Sequence, residues 1–324
     1  MINRIAFLNN PGSFIFKDVK LSKLKNDYVR VRNLYCGICG SDYSCYIGRR
    51  NHYPLSLGHE GIAEVIESKN EHIGIGDYVI TDFNYRCGLC YYCKHNLSHL
   101  CDKNDIGLFS NRMFALFSDI HYSYLTVISK PKSLILGTLA EPLSCCIHAL
   151  ENIPIETKSS ILIFGVGNIG TLMAFYLKFY KKCSNIDVYD IIDEKVKNLC
   201  DNFKIGKYSL NKHYDIIIEA TNTTEGFLSV LQNCKKGQKI CSMSHLYGEN
   251  TSQIYEYILK NELHISFPLR NGKKTNLKSA SKIIDDYWIP TFDNLISTHP
   301  FNEINNAFKS KIDIHSNKQI IAIF

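Results

Sequence analysis

The stretch SILIFGVGNIG, residues 160–170, joins a continuous apolar run to a G-x-G-x-x-G turn. The apolar run is typical of a β-strand that is buried on both faces of a sheet. In such a turn Gly165 allows the tight bend, Gly167 lets a phosphate approach the backbone, and Gly170 lets the next helix pack closely on the strand. The stretch therefore predicts a strand–turn–helix unit that binds a dinucleotide.

The residues after this turn indicate which dinucleotide it binds. A helix beginning at Asn168 and Ile169 would present its amide groups and its positive end to a pyrophosphate. Asp190 ends the next predicted strand, and a carboxylate there accepts hydrogen bonds from an adenosine ribose and repels a 2′-phosphate. Residues 191–194 contain no Arg or Lys. The sequence therefore favours NAD(H) over NADP(H), and the alternative role for Asp190 is that of a helix N-cap.

Strands and helices alternate along the chain from about residue 150, among them a helix from about Asn168 to Lys182 and a strand at Tyr214–Glu219. This alternation predicts a doubly wound parallel sheet of the Rossmann type. Residues 1–130 instead show short alternating strands with frequent turns, so they predict an irregular β domain. The apolar stretch 319–324 is expected to return to that domain. The expected division is 1–150, completed by 290–324, and 151–289.

Composition restricts the classes of partner and of location. The chain has 324 residues and a net charge of +6, and its basic residues cluster only in pairs. A nucleic-acid groove needs a denser basic stripe, so no nucleic-acid partner is expected. No run of about 18 apolar residues and no signal peptide are present, so we expect no membrane span and a cytoplasmic location. Thirteen cysteines in a reducing compartment point to metal binding.

Four cysteines within fifteen residues form the more specific metal motif. Cys87, Cys90, Cys93 and Cys101 can close a tetrahedral Zn²⁺ shell, and a filled shell of four thiolates is structural. An iron–sulfur site uses the same ligand type and is the main alternative.

A second motif offers an open metal shell. Cys36 and Cys39 lie in CGICGSD, residues 36–42, upstream of the pair His59-Glu60, and Glu141-Pro142 adds a third candidate carboxylate donor. One thiolate, one imidazole and one or two carboxylates make a catalytic type of zinc shell with a free position.

Two polar residues of the same motif can assist this shell. Asp42 can orient a metal-bound imidazole, and Ser41 can pass a proton to solvent.

These motifs together resemble the zinc-dependent medium-chain dehydrogenase/reductase superfamily, and most closely its polyol (sorbitol-type) dehydrogenase branch. The resemblance covers essentially the whole chain in the right order, over residues 36–42, 58–60, 87–101, 141–143 and 165–170. It implies a GroES-like catalytic domain, a Rossmann domain, a homodimer or homotetramer, and two zinc ions per chain. Two departures are Ser44, where members often carry His, and Asn222, where Gly is usual.

The resemblance also implies roles for individual residues. It assigns Cys39 and His59 to the catalytic zinc, with Glu60 and Glu141 competing for the remaining position. Ser41 becomes the hydroxyl of the proton relay.

The implied activity is hydride transfer between NAD(H) and a secondary alcohol or ketone, with a polyol or sugar as the small-molecule substrate. The runner-up is an alditol-phosphate or pentulose-phosphate reductase, possibly linked to NADP(H). A catalytically silent scaffold that binds NAD and zinc is a remote alternative. The residues that would serve a phosphate group are Arg49, Arg50, Arg270, Lys273 and Lys274.

Overall fold

A computed structural model describes residues 1–49, 53–103, 112–151, 153–245, 251–311 and 318–324. The chain divides into two units, of which unit 1 comprises Met1–Ser144 with Arg270–Phe324 and unit 2 comprises Cys145–Leu269. One helical stretch, Leu134–Glu151, is long and apolar enough to cross a membrane, but 78% of it is buried inside the fold, as in a core helix.

The strands and helices of the described residues follow in chain order. The strands are β1 Ile2–Asn10, β2 Ser13–Lys20, β3 Tyr28–Gly37, β4 Leu55–Ser56, β5 Glu60–Ser68, β6 Tyr78–Thr81, β7 Phe117–His121, β8 Leu125–Ile128, β9 Ser160–Phe164, β10 Asn185–Tyr189, β11 Gly206–Lys207, β12 Ile216–Glu219, β13 Lys239–Ser242, β14 His264–Ser266, β15 Ile296–Pro300 and β16 Lys318–Ala322. The α-helices are α1 Gly40–Tyr46, α2 Tyr91–Lys94, α3 Ala140–Glu151, α4 Asn168–Phe175, α5 Asp193–Phe203, α6 Thr224–Asn233, α7 Thr251–Lys260, α8 Lys274–Tyr287 and α9 Ile304–Ser310.

Unit 1 is built around two sheets. The larger has seven strands in the order β15-β16-β3-β5-β6-β8, with β7 paired to β3, and the smaller has the order β2-β1-β4. Strand β3 is central because it pairs with β5, β7 and β16, all antiparallel. The aromatic rings of Phe14, Phe114 and Phe308 pack between the elements of this core. The C-terminal strand β16 is thereby fixed beside Cys36 and Gly37.

Unit 2 is the predicted doubly wound fold. Its six strands are parallel and follow the order β11-β10-β9-β12-β13-β14. All five residues of β9 are buried, as the continuous apolar run predicted. The sheet order reverses between β9 and β12, and the carboxyl ends of strands at such a switch point form the ligand-binding edge of this fold. The glycine turn lies at that edge because it directly follows β9.

Candidate metal and cofactor sites

Cys39, His59 and Glu60 come together in unit 1 at the starts of two elements. Cys39 is the N-cap residue of α1, Glu60 begins β5, and His59 directly precedes it. One donor atom from each of these side chains lies within 4.8 Å of the other two. His59 and Glu60 are 1% and 2% exposed and Cys39 is half-buried, so the donor set combines one thiol with a buried imidazole and a buried carboxylate.

Asp42 contacts two residues of this group, Cys39 and His59. Its carboxylate is fully buried and accepts the amide of Cys39 at 3.0 Å through Oδ2. Its Oδ1 lies 3.5 Å from Nδ1 of His59, and that nitrogen has no hydrogen-bond partner among the described residues. The arrangement places a fixed negative charge beside the imidazole, where sequence analysis expected an orienting carboxylate.

The electrostatic field at His59 favours a cation. Burial by itself lowers the pKa of His59, but the negative charges of Asp42 and Cys39 outweigh it and raise the pKa well above its usual range. A field that stabilises a proton on the imidazole also stabilises a metal cation at the donor set. The residues present therefore fit a divalent metal that takes nitrogen, sulfur and oxygen ligands, as zinc does.

Lys318 is a member of this site that sequence analysis missed. Its ammonium group forms a buried ion pair with Oε2 of Glu60, and it also donates to the carbonyl of Ile38 at 3.3 Å. Burial lowers the pKa of Lys318, but the attraction of Glu60 and Cys39 raises it overall. The one sequence feature that could have drawn attention to Lys318 is its position as a lysine at the start of an apolar strand. The sequence does not indicate its partner Glu60, which lies 258 residues earlier.

Gly37 is the residue that makes room for this ion pair. A Cβ atom at Gly37 would lie 2.6 Å from Oε2 of Glu60 and 2.8 Å from Cε of Lys318. Oε2 of Glu60 therefore pairs with Lys318, and Oε1 is the oxygen that could bind a metal.

Glu141 lies close to this site but outside the three-donor group. It belongs to the first turn of α3 and is 6% exposed. Burial raises its pKa to about 7, against the opposing effect of His59 and with a further increase from Glu60. The structure therefore brings Glu141 within electrostatic range of both residues, but Glu141 does not belong to the group of mutual neighbours that Cys39, His59 and Glu60 form among the described residues.

The first turn of α1 carries the predicted relay hydroxyl. Oγ of Ser41 is buried and has no hydrogen-bond partner among the described residues. Ser44 instead donates to the carbonyl of Gly40 at 3.0 Å within the same helix. The helix therefore offers one uncommitted hydroxyl beside Cys39.

The four cysteines of residues 87–101 form a second donor group. Their sulfur atoms all lie within 4.8 Å of one another, with Cys87 3.9 Å from Cys93 and Cys90 3.8 Å from Cys101. Four ligands about 2.3 Å from a tetrahedral centre are about 3.8 Å apart, so the spacing fits a single Zn²⁺.

Backbone hydrogen bonds within this four-cysteine lobe, residues 87–101, stabilise a thiolate at Cys87. The amides of Leu89 and Cys90 both donate to Sγ of Cys87 at 3.4 Å, and Gly88 adopts φ +72° to aim them. These two hydrogen bonds lower the pKa of Cys87 to about 6, whereas burial raises that of Cys93 to about 12.

The glycine turn of unit 2 has the geometry that its spacing predicted. Gly165 adopts φ +102°, and a Cβ there would lie 2.8 Å from the backbone of Ala220. A Cβ at Gly170 would lie 1.8 Å from the carbonyl oxygen of Gly165, so helix α4 packs directly on the turn. Gly167, the N-cap of α4, has nothing within 4 Å of that position and leaves open space in front of the first helical residues, Asn168 and Ile169.

Asp190 is tied to this turn. Its Oδ2 accepts the amide of Val166 at 2.7 Å, and its Oδ1 accepts the amide of Ile192 at 3.0 Å. The N-cap of α5 is Ile192, so Asp190 is not the cap residue. Asn222 adopts φ +57°, the left-handed conformation for which Gly is the usual residue.

The residues considered for a phosphate group fall in two segments of the sequence, 49–50 and 270–274. Arg270 lies with its guanidinium 5.9 Å from the ring centre of Phe83 and donates to the carbonyl of His99. Lys273 and Lys274 are exposed at the start of α8. Arg50 lies outside the described residues.

Comparisons with known proteins identify a matching domain and several relatives. Residues 25–131 match the model of the alcohol dehydrogenase GroES-like domain. The chain is 31% identical over 342 aligned positions to an uncharacterised zinc-type alcohol dehydrogenase-like protein of Haemophilus influenzae, covering 93% of this chain and 97% of that protein. It is 32% identical to the D-arabitol-phosphate dehydrogenase of Enterococcus avium, but that match spans only 49% of this chain and 48% of the relative.

A solved structure shares the whole fold. A short chain alcohol dehydrogenase of Escherichia coli CFT073, complexed with NADH, superposes with a TM-score of 0.85 over 99% of both chains at 20% sequence identity.

Proposed function

The chain belongs to the zinc-type alcohol dehydrogenase family, and on that premise we propose that it transfers a hydride between NAD(H) and a secondary alcohol or ketone. The substrate class that we propose is a polyol or sugar. The single observation that carries the proposal is the buried group of Cys39, His59 and Glu60, which supplies three protein ligands and so leaves a coordination position free.

Zn²⁺ held at this group would supply Lewis acidity, and NAD(H) held by unit 2 would supply the hydride acceptor or donor. Cys39 and His59 hold the metal, with Asp42 orienting the imidazole. The hydroxyl of Ser41, which has no other partner among the described residues, takes the substrate proton toward solvent. Lys318 neutralises and restrains Glu60, so that the buried carboxylate keeps one orientation.

Unit 2 is proposed to hold the cofactor at its glycine turn. The open space before Gly167 accommodates the pyrophosphate on the amides of Asn168 and Ile169. Asp190 is positioned beside Val166 of the turn, where its carboxylate favours the ribose of NAD(H) and disfavours a 2′-phosphate. A side chain of Lys or Arg at 191–194 would reverse this preference, and none is present.

The test is a spectrophotometric assay at 340 nm with the zinc-loaded chain, NAD⁺ and a panel of polyols. We expect Cys39→Ser and His59→Gln each to lower kcat by about a hundredfold or more. Cys200→Ser is the matched control, because Cys200 belongs to neither donor group. A folded His59→Gln variant with full turnover would refute the assignment. Bound zinc and NAD without turnover of any alcohol or ketone would favour the silent scaffold.

A phosphorylated polyol is the second candidate, and the D-arabitol-phosphate dehydrogenase of Enterococcus avium is the relative that supports it. Lys273 and Lys274 are exposed at the N-terminus of α8, where an anion is also favoured by the helix dipole. Matched pairs of a polyol and its phosphate distinguish the two candidates. Preference for the phosphate, lost in Lys274→Ala, would establish the second.

We also propose that the chain forms a homodimer through unit 2. Strand β14 is an edge strand, and Phe267 and Leu269 directly after it are 57% and 45% exposed. An unpaired edge next to exposed apolar side chains is suited to pairing with a second copy. A mass of one chain by light scattering would refute this proposal. We also propose a cytoplasmic location, because a reducing compartment keeps cysteines available as thiolate ligands.

A further inference from the structure

A buried ion pair between Asp82 and Arg86 lies next to the candidate metal site but belongs to neither donor group. Asp82 is fully buried, and the side chain of Arg86 is 10% exposed. Such a pair is not in itself more stable than apolar residues of the same size, because both charges lose their hydration. Its presence at this place therefore points to a role in positioning.

Arg86 connects three separate segments of unit 1. Besides Asp82, its guanidinium donates to Oγ of Ser98 at 3.0 Å, inside the four-cysteine lobe. It also donates to the carbonyl of Gly272 at 3.1 Å, in the segment that precedes α8. Asn271 completes the connection, because its fully buried amide donates to Oδ1 of Asp82 at 3.0 Å. Only a planar guanidinium with five donors can make these contacts at once.

The loop of residues 81–86, which contains this ion pair, also contacts His59. Thr81 donates its hydroxyl to the carbonyl of His59 and accepts the amide of Gly61 at 3.0 Å. Two residues later, the ring of Phe83 packs edge-on against the imidazole of His59, with ring centres 4.9 Å apart. Residues 81–86 therefore contact His59 at one end and enter the lobe at Cys87 at the other.

We propose that Arg86 is a positioning residue, which fixes the loop 81–86 against the four-cysteine lobe and so fixes Phe83 against His59. The lobe then acts on the candidate catalytic site through this loop, in addition to any role in stability. Arg86 touches neither substrate nor cofactor in this proposal, and its effect passes through Phe83. The inference rests on the proposed function only in taking His59 as a ligand of the reactive metal.

The test compares Arg86→Gln and Arg86→Lys with Arg4→Gln in the full-length chain. Arg4 is the control because its ion pair with Asp18 is exposed and lies in the same unit. We expect Arg86→Gln to lower kcat about tenfold per metal-loaded site, with the KM for alcohol and the metal content of the lobe unchanged. Arg86→Lys should lose nearly as much, because lysine keeps the charge but cannot span the three segments. A full rescue by lysine would overturn the proposal.

A second readout does not depend on turnover. Co²⁺ in place of zinc reports the geometry of the Cys39–His59 site through its visible absorption, so Arg86→Gln should shift that band and Arg4→Gln should not. If the wild-type chain oxidises no alcohol, the proposed function fails while this measurement still decides the inference. An unchanged band in a folded Arg86→Gln variant would overturn it.

A double-mutant cycle tests the route through Phe83. In a Phe83→Leu background, Arg86→Gln should have little further effect on kcat, because the contact that it positions is already gone. Additive effects would show that Arg86 acts elsewhere and would overturn the proposal. If Arg86→Gln does not fold, Ser98→Ala removes one contact of the guanidinium, and we expect kcat to fall about threefold with the lobe still loaded. No change in that variant would count against the inference.

Discussion

Removing the lysine that pairs with Glu60 should expose the energetic role of that ion pair. In Lys318→Met the carboxylate of Glu60 stays buried, at 2% exposure, and loses its charged partner. Breaking a buried pair by removing one partner costs about 3–5 kcal/mol, because an uncompensated charge remains in the interior. We therefore expect the free energy of unfolding of the metal-free chain to fall by about that amount, as measured by urea denaturation monitored by circular dichroism.

The matched control is Arg4→Met, which breaks an ion pair whose side chains are 55% and 50% exposed. That change should have little effect on the free energy of unfolding, because solvent screens the charges in both states. Adding Glu60→Gln to Lys318→Met should restore most of the loss, because it removes the charge that has no partner. The reasoning is refuted if Lys318→Met costs no more than Arg4→Met, or if the double variant is as unstable as the single one.

Three further predictions concern other parts of the site. Since burial raises the pKa of Glu141 to about 7 from 4.5, the folded metal-free chain keeps a proton that the unfolded chain releases. The contribution of Glu141 to the free energy of unfolding should therefore fall by about 3 kcal/mol as pH rises from 4.5 to 7, and Glu141→Gln should remove that contribution in pH-dependent denaturation. Gly170→Ala should destabilise the chain by about 3 kcal/mol or more, because its Cβ would lie 1.8 Å from a backbone oxygen. Gly167→Ala should instead leave the melting temperature unchanged and raise the KM for NAD⁺, because its Cβ would enter open space. Equal melting temperatures in the two variants would contradict this prediction. Cys93→Ser should lower the metal content from two ions to one per chain by elemental analysis, with the remaining ion still supporting turnover, and a content of two would contradict the four-thiolate assignment.

Sequence analysis predicted best those features whose residues lie close together along the chain. The apolar run of β9 and the spacing of the glycine turn predicted the sheet of unit 2, and the structure confirms both. The predicted helix from Asn168 to Lys182 is observed as α4 followed by a π-helical turn over Tyr176–Tyr180.

The predicted strand at Tyr214–Glu219 begins two residues later than expected, at Ile216. Tyr214 donates its hydroxyl to the buried carboxylate of Asp187, and the side chain of Asp215 accepts the amide of Ser160 at the start of β9. Both residues therefore form side-chain hydrogen bonds to neighbouring strands before β12 begins. The periodicity and hydrophobicity of the sequence do not predict such side-chain contacts.

Local sequence patterns were sufficient to predict the four-cysteine group and the cofactor turn. The four cysteines lie within fifteen residues, and the glycines within six, so local backbone geometry alone brings them together. The charges around the candidate catalytic site instead come from segments that are far apart in the sequence. Lys318 pairs with Glu60, which lies 258 residues earlier in the sequence, and Asn271 donates a hydrogen bond to Asp82, which lies 189 residues earlier. Tertiary folding brings these segments together, and no local sequence pattern predicts such contacts. Burial then gives these distant contacts their strength, because charges removed from water interact strongly with the few partners that remain.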